Sequence, residues 1–200
     1  MTIARWRRAG ALAALALATC LPACTKAPVA FQGIDITGAD YARRLHLTDV
    51  DGKPRSLDDF KGKVAVVFFG YTQCPDVCPT TLAEIATVKK QLGAKGDQVV
   101  GVFVTIDPER DTAPVLKAYV GSFGADFVAL RGTVDEVKEA AREFKVFFAK
   151  VPGSTEGAYT MDHTALSFVF DAQGRVRVAE RYGAGAEALA KDVQALLDGA

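Results

Sequence analysis

The sequence predicts a three-layer α/β domain, with a central mixed β-sheet and helices on both faces. Apolar runs with the composition of buried strands alternate with segments whose apolar residues recur at helical intervals. The end of the chain instead shows two strand patterns joined by a turn, followed by one amphipathic helix. With 200 residues, of which 50% are apolar, the chain can bury the core of one such domain.

The first half of the domain contains the most apolar strand pattern. Val64 to Tyr71 is a continuous apolar run rich in Val and Phe, as a strand covered on both faces requires. The predicted elements here are a strand and hairpin turn over 45–52, a short helical turn over 56–60, the buried strand over 64–71, a helix over 80–92 and a second buried strand over 99–106.

The second half continues the alternation and then changes to a hairpin. Its predicted elements are a helix around 115–123, a short strand over 127–130, a helix opened by a capping box at Thr133 and continuing through Phe144, an exposed loop over 151–159, a hairpin over 166–179 and a closing helix over 186–197. This order is thioredoxin-like, and the strand and hairpin that come first form an N-terminal extension.

Residues 1–23 have the pattern of a lipoprotein signal peptide. A basic stretch precedes an Ala/Leu-rich run over 9–21, which is too short to span a bilayer comfortably. The run ends in Leu21-Pro22-Ala23-Cys24, which resembles a bacterial lipobox, so Cys24 is expected to carry the lipid. Ordinary cleavage that leaves a free thiol is the alternative. Residues 24–38 are predicted to form a tether, and 39–200 the folded domain.

Charge limits the partners of the mature domain. Three of the 24 basic residues lie in the leader, which leaves 21 against 24 acidic residues downstream. This mildly acidic domain lacks a basic stripe, so we expect no nucleic acid partner and no direct binding to an anionic membrane surface. We expect a monomer in the cell envelope, on the periplasmic side, that is held to a bacterial membrane by its lipid anchor.

Two cysteines of the mature domain stand where the first buried strand leads into a helix. In the sequence Cys74-Pro75-Asp76-Val77-Cys78-Pro79 they are four positions apart, so both sulfurs can lie on one side of the junction. A disulfide closing so small a loop would stabilise the fold little. Amides at the helix start are expected to favour thiolates, which could form a reversible disulfide or bind Cu(I). Two buried structural thiols are the alternative.

Only His163 of the two histidines is a candidate ligand. It precedes the run that enters a later central strand, a segment that the resemblance to thioredoxin-like folds places beside the cysteine loop. The nitrogen of His163 would let two thiolates also hold Cu(II). Period-two alternation turns His46 outward. Met161 is a chemically suitable soft ligand, but packing is the favoured role. Asp76 is left outside the ligand set.

Three motifs in this order resemble those of the Sco/SenC copper proteins, from about Leu45 to the end of the chain. They are Cys-Pro-Asp-Val-Cys-Pro at 74–79, Thr-Ile-Asp-Pro-Glu-Arg-Asp-Thr at 105–112 and Asp-His-Thr at 162–164. The resemblance implies that Cys74, Cys78 and His163 bind copper, that the two cysteines interconvert with a disulfide, and that the protein assists assembly of the dinuclear copper-A centre of cytochrome c oxidase. Ala113-Pro114 departs from the family pattern at a helix start.

Three functions fit these residues. The first is a non-enzymatic metallochaperone that passes copper to the copper-receiving subunit of cytochrome c oxidase or to another cuproprotein. The second is a thiol-disulfide oxidoreductase of the cell envelope. A thiol reductant or a copper donor protein is expected as a further partner. The third is a thiol peroxidase. Segment 107–112 is interpreted mainly as a turn in which Asp111 or Thr112 caps the next helix.

Overall fold

Residues 30–200 are described by the structure, which is a computed structural model. The predicted signal peptide over 1–23, the lipidation site Cys24 and the first residues of the predicted tether lie outside this part of the chain. Within it, none of the helices combines the length and the apolar character needed to cross a membrane.

A mixed sheet of eight strands forms the centre of the domain. Its strands are β1 (Ile34–Asp35), β2 (His46–Asp49), β3 (Pro54–Ser56), β4 (Val64–Gly70), β5 (Val99–Thr105), β6 (Val128–Arg131), β9 (Leu166–Phe170) and β10 (Val176–Arg181). The spatial order is β1-β10-β9-β4-β5-β6-β2-β3. The pairs β4–β5 and β5–β6 are parallel, and the other neighbours are antiparallel. The predicted mixed sheet is therefore confirmed.

The two central strands are buried along their whole length. Every residue of β4 and β5 is buried, which agrees with the two continuous apolar runs of the sequence. Because side chains alternate along a strand, Phe68 and Phe69 point to opposite faces of the sheet. Phe68 contacts Phe103 at 6.3 Å between ring centroids, and Phe69 contacts Phe144 at 5.1 Å. Aromatic packing thus fills both sides of the sheet.

Four α-helices cover the two faces. They are α1 (Val77–Gln91), α2 (Ala113–Gly121), α3 (Val134–Glu143) and α4 (Ala186–Leu197). Helices α1 and α4 pack against each other. Tyr119 of α2 lies 5.5 Å from Phe103, whereas Phe144 at the end of α3 packs on the opposite face against Phe69. The predicted arrangement, with helices on both faces, is confirmed.

A separate two-stranded ribbon is the main element that the sequence interpretation missed. Strand β7 (Phe148–Pro152) pairs with β8 (Tyr159–His163), in a region predicted to be a loop over 151–159. Only the tip over 153–158 is the exposed loop that was predicted. The strands lack the apolar alternation of a half-buried sheet, because the ribbon lies outside the central sheet.

The N-terminal segment joins the sheet earlier than the boundary at residue 39. Strand β1 lies within the stretch interpreted as a tether, and it pairs with β10. The backbone N–H groups of Gln32 and Gly33 donate to the Asp192 carboxylate at 2.7 and 2.8 Å. Such local backbone pairing leaves little trace in the apolar pattern of a two-residue strand.

A buried carboxyl pair lies beneath this segment. Glu180 of β10 is 5% exposed, and neither of its carboxylate oxygens has a donor among the described residues. Burial, followed by its contact with Asp192 and the charge of Glu84, raises the pKa of Glu180 to about 7 from its ordinary value of 4.5. Glu180 therefore keeps its proton at mildly acidic pH and faces Asp192 as a neutral group.

We expect Glu180→Gln to stabilise the fold at pH 8 and to have little effect at pH 5. The folded chain holds the Glu180 proton more tightly than the unfolded chain. The stability that protonated Glu180 contributes is therefore fully present below its ordinary pKa of 4.5 and is lost as the pH rises through about 7. The gain at pH 8 should not exceed about 3 kcal/mol.

Urea denaturation at both pH values measures this difference. Glu187→Gln is the matched control. The hydrogen bond from Lys191 lowers the pKa of the exposed Glu187, so replacing this carboxylate should destabilise the fold rather than stabilise it. An equal effect of Glu180→Gln at pH 5 and pH 8 would contradict the assigned protonation.

Candidate metal centre

The cysteine loop begins where the buried strand β4 ends. The chain leaves the sheet after Gly70, and α1 begins at Val77, three residues before the predicted start at residue 80, so Cys78 lies in the first helical turn. The backbone N–H of Cys78 donates to the sulfur of Cys74 at 3.4 Å. Cys78 is 0% exposed, and Cys74 is half-buried. The strand-to-helix junction therefore places both sulfurs on one side, at different depths.

The ribbon β7–β8 brings His163 to the same place. His163 is the last residue of β8, and its Nε2 lies 3.7 Å from the sulfur of Cys78. One potential ligand atom from each of Cys74, Cys78 and His163 lies within 4.8 Å of the others, and both thiols are free. Cys78 and His163, which are 85 positions apart in the sequence, thus belong to one group of three donors with Cys74.

The orientation of the His163 ring suits metal binding. Its Nδ1 lies 3.1 Å from the carbonyl oxygen of Thr164, which can accept a hydrogen bond only from a protonated nitrogen. The unprotonated Nε2 then faces the thiols with its lone pair available. Two sulfurs and one imidazole are ligands that suit copper in both Cu(I) and Cu(II) states, and structural zinc normally has four protein ligands.

An apolar environment keeps both inner groups neutral. Phe68 and Tyr71 contact the His163 ring edge-to-face at 6.0 and 6.1 Å. Burial raises the pKa of the Cys78 thiol and lowers the pKa of His163. The expectation that the helix start would stabilise thiolates is therefore wrong for Cys78, because burial disfavours the charged form of its thiol. A metal ion would have to displace the proton of Cys78.

Other candidate residues from the sequence lie outside the donor group. His46 is exposed on β2, as predicted, and Met161 is buried in the core, in agreement with a packing role. Asp76 stands at the N-cap position of α1 without a capping hydrogen bond from its side chain. Its carboxylate instead lies 3.4 Å from the hydroxyls of Thr80 and Tyr182.

The segment 107–112 contributes more than a turn. Asp111 and Thr112 were predicted as alternative helix caps, yet Thr112 occupies the N-cap position of α2 without a side-chain hydrogen bond. The Asp111 carboxylate instead accepts hydrogen bonds from the hydroxyls of Thr72 and Thr105, both at 2.6 Å. Thr112 therefore takes the predicted capping position without a side-chain hydrogen bond, whereas the capping role is wrong for Asp111, which is bonded to the start of the cysteine loop.

Sequence comparison places the chain in a known group. A model of the SCO1/SenC family matches residues 35–198. The chain belongs to this family. A SCO2-like protein of Rickettsia felis is 37% identical to it over 139 residues, which cover 69% of this chain and 66% of that relative. The chain thus spans slightly less than two thirds of the length of this SCO1/SenC relative.

Solved structures of the SCO1/SenC family have the same fold. The structure of Bradyrhizobium japonicum ScoI with copper bound is 39% identical, with a TM-score of 0.69, and the match covers 76% of this chain and 97% of that one. The solution structure of apo Sco1 from Thermus thermophilus is 35% identical, with a TM-score of 0.75, and the match covers 85% of this chain and 99% of that one. These similarities confirm the thioredoxin-like SCO1/SenC fold.

Gly70 is a site residue that sequence reasoning missed. A Cβ atom at this position would lie 2.7 Å from the sulfur of Cys78 and 2.9 Å from the rings of Phe68 and Phe103. These distances are shorter than van der Waals contacts, so only glycine lets the strand approach the thiol. A glycine that ends an apolar strand just before two cysteines was the available signal.

We expect the two thiols of the reduced protein to react with iodoacetamide at different rates. Cys78 is fully buried and its pKa is raised by burial, so it should react at least about tenfold more slowly than the half-buried Cys74. Mass spectrometry of peptides after timed quenching measures both rates. The rates should converge in guanidinium, and equal rates in the folded protein would contradict the described burial.

We expect Gly70→Ala to distort the donor group and to destabilise the fold by about 1–3 kcal/mol, because the added methyl group overlaps the Cys78 sulfur and two rings. Thermal unfolding measures the loss, and faster alkylation of Cys78 would report its displacement. Gly121→Ala in α2 is the control, since nothing lies within 4 Å of a Cβ there. A Gly70→Ala protein as stable as the control would contradict this packing.

Proposed function

We propose that this SCO1/SenC protein is a copper metallochaperone, and that Cys74, Cys78 and His163 are its copper ligands. The observation that carries the proposal is the convergence of two thiols and one imidazole within 4.8 Å, in a pocket lined by aromatic rings. The bound copper in Bradyrhizobium japonicum ScoI supports copper as the metal. Copper is the cargo, and the protein itself needs no enzymatic activity.

The three donors have different tasks in this proposal. Cys74 and Cys78 supply soft sulfur ligands for Cu(I), and His163 adds the nitrogen that makes Cu(II) binding favourable. Cys74 is half-buried and therefore accessible, so an incoming ligand of a partner protein would first meet the metal on its side. Copper then transfers by ligand exchange while its oxidation state stays the same.

Membership of the SCO1/SenC family supports a recipient in the assembly of cytochrome c oxidase. We propose that copper is delivered to the dinuclear copper-A centre during assembly of cytochrome c oxidase, or to another cuproprotein. The signal-peptide pattern over 1–23 and the lipobox-like sequence ending at Cys24 support a lipid-anchored protein on the periplasmic side of a bacterial membrane. A copper donor protein would supply the metal to the two thiolates and the imidazole.

The two free thiols also favour a second function, as a thiol-disulfide oxidoreductase. Reduction of a partner disulfide would oxidise Cys74 and Cys78 to a disulfide and leave two thiols on the partner. Such a reaction could prepare the cysteines of the copper-receiving site. It does not require His163, so His163 separates the two functions.

We expect His163→Ala to abolish Cu(II) binding and to leave dithiol oxidation by a small disulfide unchanged. The test uses the full chain, reduced and kept without air, with one equivalent of Cu(II). Visible absorption should show charge transfer from thiolate to copper in the unmodified protein, and electron paramagnetic resonance should show hyperfine structure from nitrogen; both should be lost in the variant.

His46→Ala is the matched control, because His46 is exposed on β2 and should leave both spectra unchanged. Unchanged Cu(II) binding by His163→Ala would overturn the ligand assignment. A featureless spectrum of the unmodified protein, with rapid formation of the Cys74–Cys78 disulfide, would instead favour the oxidoreductase.

A further inference from the structure

The turn between β5 and α2 contains two buried carboxylates beside the candidate metal centre. Asp107 is 2% exposed and Asp111 is 0% exposed. Charged groups are rarely buried to this extent unless other groups satisfy them. Partners of these two carboxylates lie on the two chain segments that carry the proposed ligands. The turn therefore also joins those two segments to each other.

One side of the turn holds the start of the cysteine loop. Asp111 accepts hydrogen bonds from the backbone N–H of Thr72 at 3.1 Å and from the Thr72 hydroxyl at 2.6 Å. The hydroxyl of Thr105, on β5, donates to the same carboxylate at 2.6 Å. Thr72 precedes Cys74 by two residues, so Asp111 ties the cysteine loop to the end of β5.

The other side of the turn holds the ribbon that ends in His163. The Tyr159 hydroxyl donates to Asp107 at 2.8 Å, and Arg110 pairs with the same carboxylate. Arg110 also donates to the backbone carbonyl of Tyr159 at 2.8 Å, and its guanidinium lies 3.6 Å from the centre of the Tyr159 ring. Tyr159 begins β8, the strand whose last residue is His163.

Arg110 connects the two sides. Its Nη1 donates to the Gln73 side chain at 3.1 Å as well as to the Tyr159 carbonyl. One rigid guanidinium therefore bridges the residue before Cys74 and the first residue of β8. The ribbon is not part of the central sheet, so it has no ladder of backbone hydrogen bonds to that sheet that would otherwise fix its position.

We propose that Arg110 is a positioning residue that, with Asp107, sets the distance between His163 and the two cysteines. This inference rests on the proposed copper site. The planar guanidinium is suited to the task because its donors are held in a fixed fork, whereas a lysine ammonium has one flexible point of contact. The clamp, defined as Asp107, Arg110 and Tyr159, thereby makes a three-ligand site from two independent chain segments.

The clamp should affect Cu(II) more than Cu(I). Binding of Cu(II) depends on the nitrogen of His163, whereas two thiolates suffice for Cu(I). A residue that only stabilises the fold would change both affinities together, or neither. The ratio of the Cu(II) and Cu(I) affinities therefore distinguishes a positioning role from a structural one.

The test uses Arg110→Lys and Tyr159→Phe in the full chain. Arg110→Lys keeps the positive charge and removes the fork, and Tyr159→Phe removes only the hydroxyl that donates to Asp107. The controls are Arg44→Lys, at an exposed pair with Glu143, and Tyr41→Phe on the N-terminal segment. Competition titrations give both copper affinities, and electron paramagnetic resonance reports the nitrogen ligand.

We expect both clamp variants to weaken Cu(II) binding by at least about tenfold, to change Cu(I) binding less, and to shift the resonance spectrum toward that of His163→Ala. In the metal-free protein, amide hydrogen exchange in β8 should accelerate in the clamp variants and stay unchanged in the controls. Thermal unfolding confirms that each variant is folded.

The two proposals fail in different ways. If the unmodified protein binds Cu(II) through His163, but the clamp variants keep its affinity and its β8 exchange rates, the positioning role of Arg110 is wrong. If the unmodified protein does not bind Cu(II), the proposed copper site is wrong, and hydrogen exchange in the metal-free protein still shows whether the clamp holds the ribbon.

Discussion

Burial of strand β4 on both faces is the constraint on which the site depends. The strand lies between β5 and β9, and every one of its residues is buried. The chain therefore stays in the core along the whole strand and leaves it at the carboxyl end of β4, after Gly70. That exit is where the cysteine loop begins and where α1 packs back onto the sheet. Because Gly70 has no side chain, Cys78 lies directly against the strand, and the position of its sulfur is determined by the core.

This burial has a chemical consequence for the donors. Desolvation raises the pKa of Cys78 and lowers the pKa of His163, so both groups are neutral in the metal-free protein. A soft cation that replaces the thiol proton would find a neutral imidazole already turned toward it by the Thr164 carbonyl. The same surroundings disfavour a free thiolate at Cys78, which separates this pocket from a helix-start dithiol exposed to solvent.

The ligand groups reach the pocket by different structural means. The cysteines are placed by packing, because the strand and helix that flank them belong to the core. His163 comes from a ribbon outside the sheet, and polar contacts at Asp107, Arg110 and Tyr159 join that ribbon to the domain. Hydrogen bonds to buried charged groups are strong and directional, so they can position such a ribbon together with the buried Met161 of β8.

The sequence by itself determined the elements whose pattern is strong and local. The apolar run over 64–71, the capping box at Thr133 and the hairpin before the closing helix each predicted an element that the structure contains, and the three motifs together indicated the family. Only the tertiary structure decided that the ribbon β7–β8 exists, that Asp111 bonds to Thr72, and that Cys78 is too buried to favour its thiolate. These features depend on contacts between residues distant in the sequence and on exclusion of water, and neither has a periodic signature along the chain.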